Sequence, residues 1–169
     1  MPERRQSACD REAPAVAWCV RAPQGPAELE AYYRLRWRLL RAPWGQLPGS
    51  ERDEFEELAV HRLVCDLTGR VLGVGRLHCA DSEPRHGQIR YMAVDPQWRG
   101  QGLGRQLLAA LEAAAVRQGL ERIDLNAREE AVDFYARQGY AIVGESHILY
   151  GVIRHMRMTK ALASAERVR

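Results

Sequence analysis

The chain has 169 residues, of which 46% are apolar and 28% charged, so it is long enough to bury the core of one domain. This composition excludes collagen, a coiled-coil rod, wholesale disorder and a small disulfide-stapled fold. The formal net charge is +3, and the cations, all arginine except Lys160, are scattered along the chain. We therefore expect no nucleic-acid partner, since such binding needs a basic patch or stripe.

The termini and the cysteines predict a cytoplasmic protein. The first 18 residues are charged and lack the apolar run of a signal peptide, and no apolar stretch reaches the roughly 18 residues of a membrane span. We expect no membrane association. Cys9, Cys19, Cys65 and Cys79 form no CxxC pair and have no histidine at metal-binding spacing, which indicates reduced thiols and no metal site.

Strand and helix patterns alternate in one compact length, which predicts an α/β (α+β) fold with residues 14–169 as a single domain. Residues 1–13 are polar and predict a flexible tail. The acidic stretch at residues 50–58 is compatible with a short helix. The predicted strands are residues 15–21, 60–66, 71–79, 88–94, 123–125, 140–143 and 154–158, the helices are residues 27–41, 102–118 and 128–138, and residues 81–87 form a loop.

The strongest signal for chemistry is a glycine-rich loop between a strand and the best-defined helix. Gly100, Gly102 and Gly104 alternate along this loop, and small residues let backbone N–H groups converge on one point. A helix N-terminus adds unpaired donors and partial positive charge. Arg99 and Arg105 are disfavoured at this positive end unless an anion is bound there. The loop therefore predicts a site for a phosphate or pyrophosphate.

Two common phosphate-binding motifs fit this loop less well. A P-loop needs Lys and then Ser or Thr after the last glycine, whereas Gly104 is followed by Arg105 and Gln106. A dinucleotide fingerprint needs a third glycine where Arg105 stands. Asp124 lies at a suitable distance for a ribose contact, so a nucleotide-binding fold stays open as an alternative.

The loop resembles the signature R/Q-x-x-G-x-G/A of the GCN5-related N-acetyltransferase (GNAT) family, with Arg99 as its first residue. A second block resembles the pattern N-x-x-A-x-x-F-Y-x-x-x-G-F, with two residues inserted after Asn126. That block comprises Asn126, Ala131, Phe134, Tyr135, Gly139 and Tyr140. Gly151 and the His155-x-x-Met158 pattern resemble the ElaA-like branch, although Arg154 stands where that branch usually has proline.

The resemblance implies a mixed sheet of six or seven strands flanked by helices and splayed between residues 88–94 and 122–126. It implies acetyl-CoA as cosubstrate, with its pyrophosphate on the glycine loop, its pantetheine arm along the preceding strand, and a backbone N–H that holds the developing oxyanion. The cofactor-binding residues implied in this way are Met92, Ala93, Val94, Arg99, Gly100, Gln101, Gly102, Leu103, Gly104, Arg105 and Asn126.

The resemblance also implies a catalytic role for Tyr135, which occupies the position of a general acid for the departing thiolate. The family position of a catalytic glutamate is Gln88 in this chain, and a glutamine cannot act as a base. His78 is our first candidate for the base, because its unperturbed pKa suits the task. Asp81, Glu83, His86 and His61 are further candidates.

The implied function is an acetyl-CoA-dependent N-acetyltransferase, an enzyme that moves an acetyl group to a primary amine by direct attack. The acceptor is a small-molecule or peptide amine, and a homodimer is common in the family. The alternative is a catalytically weak CoA-binding sensor or interaction module. The absence of a base at Gln88 favours this alternative, whereas the presence of Tyr135 argues against it. The acidic run either attracts a cationic amine or is a solvated helix face.

Overall fold

A computed structural model describes residues 17–80 and 83–163. The predicted tail at residues 1–13, and with it Cys9, lies outside the described residues. The strands are β1 (Trp18–Arg21), β2 (Val60–Asp66), β3 (Val71–Ala80), β4 (Glu83–Val94), β5 (Arg122–Arg128), β6 (Ala141–Leu149) and β7 (Ile153–Ala161). The helices are α1 (Gly25–Leu40), α2 (Leu103–Arg117) and α3 (Val132–Arg137), and short 3-10 turns cover Ala42–Trp44, Pro96–Trp98 and Glu129–Ala131.

The seven strands form one mixed sheet in the order β1-β2-β3-β4-β5-β7-β6. Every neighbouring pair is antiparallel except β4 and β5, which run parallel and are connected through α2. A parallel pair needs such a crossover connection. The predicted six- to seven-stranded sheet with flanking helices is therefore confirmed.

The two faces of the sheet are covered by different helices. On one face, α2 buries an apolar stripe at helical spacing, since Leu103, Leu107 and Leu111 are at most 1% exposed. On the other face, α1 packs Tyr32 and Tyr33 against the sheet. Neighbouring residues in a strand point to opposite faces, so the sheet has a separate core on each side. None of the helices in the described part of the chain is long and apolar enough to cross a membrane.

The predicted loop at residues 81–87 is wrong for most of its length, because β4 already begins at Glu83. Cys79 of β3 pairs with Gly87 of β4, and the hairpin continues to the pair Ala80 and Glu83. A Cβ atom on Gly87 would lie 2.8 Å from Leu120 Cδ1 and 2.9 Å from Leu77 Cδ1. The glycine thus marks close packing inside a strand, and cross-strand pairing overrides the loop-like composition.

The acidic stretch is also different from its prediction. Residues 51–58 form turns, with no helix between the end of the 3-10 turn at Trp44 and the start of β2 at Val60. Three of its carboxylates are partly or fully buried: those of Glu51, Asp53 and Glu56. Asp53 and Glu56 pair with the buried Arg36 and Arg76, and Glu51 Oε2 accepts from Gly49 N–H at 2.7 Å. The stretch is therefore not a solvated helix face.

The cysteines that the structure describes are free thiols. Cys19 of β1 pairs with Cys65 of β2, and their sulfur atoms lie 3.3 Å apart. Burial raises the pKa of Cys65 to about 11, and the hydrogen bond with Cys19 adds to this. Cys65 is therefore a protonated thiol at neutral pH. Cys79 is free and exposed.

Candidate active site

The candidate site lies where two parallel strands separate. Residues 86–89 of β4 pair with residues 122–125 of β5. Beyond this point β4 continues beside β3 to Val94, and β5 continues beside β7 to Arg128. The predicted splay is therefore present, and it opens a cavity of about 970 Å³ between the strands. A cavity of this size is in the range of sites for small molecules and cofactors.

A bulge in β4 starts this separation. Val74 of β3 pairs with Ala93 and Arg76 pairs with Arg90, so three steps along β4 match two along β3. Tyr91 inside the bulge has φ of +55°, a left-handed conformation that costs about 1–2 kcal/mol for a non-glycine residue. Its side chain is held on the α1 side of the sheet, where the Tyr91 hydroxyl donates to Asp53 Oδ2 at 3.1 Å.

The bulge is held by a buried ionic cluster, which we define as Arg36, Arg76, Asp53, Glu56 and Tyr91. Arg36 and Arg76 are fully buried, and both donate to Glu56. Arg76 also donates to Asp53, with one bond of 2.9 Å to Oδ2. The Arg36 guanidinium lies 4.0 Å from the centre of the Tyr91 ring, in position for a cation–π interaction.

The glycine loop lies at the mouth of the cavity. Gly100 and Gly102 have φ of +76° and +89°, a conformation that favours glycine. The first backbone bond of α2 runs from Gln106 N–H to the Gly102 carbonyl, at 3.1 Å. The N–H groups of residues 103–105 precede that bond and have no partner within the helix. The loop therefore offers the converging donors that an anion needs.

Neighbouring side chains hold the loop and add positive charge. Asp95 is buried, caps the turn at Pro96–Trp98 by accepting from Gln97 N–H at 3.2 Å, and accepts from Arg38 at 2.7 Å. Arg99 donates from Nε to the Val94 carbonyl at 3.2 Å. Arg99 and Arg105 are exposed and line the cavity. The residues present fit a polyphosphate at this end of the gap.

The other predicted cofactor-binding residues line the same cavity. Within the described residues, the β4 edge from residue 90 to 94 that faces β5 has no strand partner, because the pairing with β5 ends at Ile89. An extended pantetheine arm fits this edge as an added strand would. Asn126 lies across the gap on β5, and its Oδ1 accepts a hydrogen bond from Ser146 at 2.9 Å. The whole predicted set, residues 92–94, 99–105 and 126, is thus brought together.

Tyr135 on α3 also lines the cavity. It is 8% exposed and contacts Phe134 and Tyr140 edge to face, with ring centroids 5.0 and 5.7 Å away. Burial raises the pKa of Tyr135 far above that of a free phenol. Its hydroxyl is therefore a hydrogen-bond donor at every physiological pH.

His78 lies elsewhere. It is buried on β3 and stacks on Phe55 with 4.6 Å between ring centroids, and it is not among the residues that line the cavity. Among the other predicted bases, His61 forms hydrogen bonds to the Tyr32 hydroxyl and the Glu56 carbonyl. His86 lies at the paired end of β4. Asp81 lies outside the described residues, as does the side chain of Glu83.

The sequence analysis missed several polar side chains of the cavity wall and named His155 only as part of the ElaA-like pattern. The missed side chains include Arg41, Arg90, Arg128, Glu130 and His147. The sequence predicted that the sixth strand ends at residue 143. In the structure β6 continues to Leu149, so His147 lies within the sheet. No local sequence signal marked His155 as a cavity residue, and its burial beside the exposed Arg154 is seen only in the structure.

The model of the family described as "Acetyltransferase (GNAT) family" matches residues 29–140, more than half of the chain. The chain belongs to this family. It is 34% identical over 110 residues to the uncharacterized N-acetyltransferase YjcF of Bacillus subtilis, an alignment that covers 65% of this chain and 76% of YjcF. The sequence-based assignment to GNAT is confirmed.

Solved structures show the same fold. Escherichia coli ElaA superimposes with a TM-score of 0.72 at 18% identity, over 86% of this chain and 99% of ElaA. An aminoglycoside 6'-N-acetyltransferase complexed with coenzyme A superimposes with a TM-score of 0.70 at 16% identity, over 85% of this chain and 96% of that one. The protein thus has the fold of the GNAT family to which its sequence belongs.

Proposed function

We propose that this GNAT protein transfers the acetyl group of acetyl-CoA to an amine. The observation that carries the proposal is the cavity itself: the glycine loop at the N-terminus of α2, the free edge of β4 and the Tyr135 hydroxyl all line one continuous space. Acetyl-CoA supplies an activated acyl group. The protein supplies donors for a pyrophosphate, an edge that orients an extended chain, and a buried phenol that donates a hydrogen bond to a leaving sulfur.

The first test is thermal unfolding with saturating acetyl-CoA. At 100 times its dissociation constant, a ligand adds about 2.7 kcal/mol to stability. For a domain of this size that raises Tm by about 5–10 °C. ATP and NAD serve as comparison ligands, because each also carries a polyphosphate. A rise with NAD alone, or none with acetyl-CoA, contradicts the proposal.

The chain offers a matched pair of glycine variants for this test. Gly102 and Gly119 have φ of +89° and +73°, and an added Cβ would meet nothing within 4 Å at either position. Alanine is therefore strained to a similar degree at both. Gly102→Ala should lower Tm and also weaken acetyl-CoA binding, because the loop donors move. Gly119→Ala should lower Tm and keep the full ligand-induced rise, since it lies at the other end of α2.

Release of CoA with an amine then separates turnover from binding alone. An acetyltransferase releases CoA in proportion to the amine acetylated. Tight acetyl-CoA binding without release across a broad amine panel would instead support the CoA-binding module.

We further propose that the acceptor amine carries an anionic group. Arg41, Arg90 and Arg128 line the cavity in addition to the arginines of the glycine loop, and Glu130 is the one carboxylate among the described lining residues. Arg90 also lies 3.4 Å from Asp53 Oδ2. Glu130 lies 4.0 Å from Arg128. Asp53 and Glu56 belong to the acidic run for which attraction of a cationic amine was one of two interpretations, and they are instead paired with Arg76 and Arg36.

Matched acceptors test this proposal. We expect an amino acid to have a kcat/KM at least about tenfold above that of its methyl ester or its decarboxylated amine, because hydrogen bonds to charged groups contribute about 1.5–3 kcal/mol. The preference should weaken as salt increases. A higher kcat/KM for the decarboxylated amines than for the amino acids would contradict the proposal of an anionic acceptor.

A further inference from the structure

Two histidines form a polar patch on the cavity wall, and neither has a role in the function proposed above. His155 on β7 and His147 on β6 stack with 4.5 Å between ring centroids and 16° between ring planes. His155 is 8% exposed, whereas His147 is exposed. Both line the same cavity as Tyr135 and Asn126.

The hydrogen bonds of His155 determine which ring nitrogen is basic. His155 Nδ1 lies 3.0 Å from the Ile153 carbonyl oxygen. A carbonyl can only accept, so Nδ1 must carry the proton. In the neutral ring the lone pair is then on Nε2, the nitrogen that accepts a proton.

A second chain of hydrogen bonds orients His147. The Ser146 hydroxyl donates its single proton to Asn126 Oδ1 at 2.9 Å. It must therefore accept from His147 Nδ1, which lies 3.1 Å away. His147 is thereby tied to β5 and fixed in the orientation in which it stacks on His155. The pair bridges β5, β6 and β7 at the side of the gap opposite β4.

The charges around His155 favour its neutral form. Burial lowers the pKa of His155, and His147 on β6 and Arg128 on β5 lower it further, while the backbone groups of Ile153 and His147 act in the opposite direction. Arg128 is its direct partner across β5 and β7, and Glu130 lies 4.0 Å from Arg128. His155 is therefore neutral near pH 7, as an acceptor of protons must be.

We infer that His155 is the general base that deprotonates the acceptor ammonium, an inference that rests on the proposed function. One proton moves from the ammonium to His155 Nε2, which leaves a neutral amine with its lone pair free. The amine nitrogen then bonds to the acetyl carbon, and the bond from that carbon to sulfur breaks with its electron pair on sulfur. The second amine proton ends on the sulfur, and the imidazolium returns its proton to water.

The test compares His155→Asn with His147→Asn and His78→Asn. Asparagine at position 155 retains a donor for the Ile153 carbonyl and lacks the basic nitrogen. We expect His155→Asn to lower kcat/KM about 100-fold, within the range for loss of an acid–base group. Its pH profile should also lose the acid-side inflection, which in wild type is displaced to lower pH because burial lowers the pKa of His155. The His78 variant should keep that inflection in place. The His147 variant should keep it at a higher pH, because His147 lowers the pKa of His155.

Two further measurements separate a base from a structural residue. Histidine ¹⁵N NMR should show His155 as the neutral, Nδ1-protonated tautomer at pH 7 in the protein without ligands. Added imidazole should restore part of the rate of His155→Ala, which a residue with only a packing role does not allow.

The outcomes are distinct. Wild-type protein that binds acetyl-CoA but acetylates no amine overturns the proposed function, and this inference with it. Active wild type with an unchanged profile in His155→Asn overturns the inference alone. Loss of the inflection in His147→Asn or His78→Asn would instead assign the general base to that residue. A His155 that carries a positive charge at pH 7 would also contradict its role as the base.

Discussion

Tyr135→Phe is expected to lower kcat about 100-fold with little change in the affinity for acetyl-CoA. The substitution removes one oxygen and keeps the ring that packs against Phe134 and Tyr140. Because burial raises the pKa of Tyr135, its hydroxyl is a poor donor of a complete proton to a thiolate. In the proposed reaction this hydroxyl donates a hydrogen bond to the developing thiolate, an interaction that is stronger in the transition state than in the bound substrate. Single-turnover acetyl transfer measures this step.

Tyr140→Phe is the matched control for this variant. Tyr140 belongs to the same aromatic cluster and is buried, but it does not line the cavity. Removal of its hydroxyl should leave kcat within about twofold. The phenol of Tyr135 stays protonated throughout the assay range, so Tyr135→Phe should also keep the acid-side inflection that we assign to His155. A Tyr135→Phe rate equal to wild type would disprove the role of the hydroxyl.

Arg76→Met is expected to lower the free energy of unfolding by about 3–5 kcal/mol, the usual cost of removing one partner from a buried ion pair. Methionine retains much of the side-chain volume but leaves Asp53 and Glu56 without their shared donor. Urea unfolding followed by circular dichroism measures the loss. Asp53 also accepts from Tyr91, so we expect weaker acetyl-CoA binding through a less well-ordered bulge in β4.

Arg85→Ala is the surface control for Arg76→Met. Arg85 and Glu121 lie 2.6 Å apart, but 70% and 54% of their side chains are exposed. Exposed pairs of this kind contribute about 0–1 kcal/mol. A double variant, Arg76→Met with Asp53→Asn, should recover part of the stability because it leaves fewer unpaired charges. Equal losses in Arg76→Met and Arg85→Ala would contradict a structural role for the cluster.

The same cluster makes stability depend on pH. Burial opposes ionisation of Asp53, but hydrogen bonds from Arg76 and the Phe55 N–H outweigh it, so the pKa of Asp53 lies well below its usual range. A carboxyl with a lowered pKa in the folded state adds stability above its unfolded pKa of about 3.9, and this stability is lost as pH falls below that value. Wild type should therefore lose more stability between pH 5 and about pH 2 than Arg76→Met.

Local patterns predicted much of this fold because their physical causes are local. The apolar stripe of α2 repeats with the helical period, and Leu103, Leu107 and Leu111 are all buried. The glycine loop was recognised because its backbone conformation requires glycine at residues 100 and 102. The family assignment rested on the same loop and on the block that contains Tyr135.

Contacts between distant segments escaped prediction. Arg36 lies on a helix whose other residues suggested an ordinary amphipathic face, yet it is fully buried because Glu56, 20 positions later, supplies a carboxylate. For the same reason, the acidic stretch was interpreted as either a solvated helix face or a surface that attracts a cationic amine. Its partners Arg36 and Arg76 lie on α1 and β3, and only the packing of both against the stretch at residues 51–58 neutralises the charges.

The sequence by itself determined the order of strands and helices along the chain and the positions of the glycine loop and of Tyr135, since each depends on residues close together in the chain. The tertiary structure alone decided which histidine faces the cavity. His78 was the better candidate by sequence, but it stacks on Phe55, while the antiparallel pairing of β6 with β7 brings His147 and His155 together. The side that a strand residue faces depends on register, and register is set by neighbouring strands that are distant in the chain.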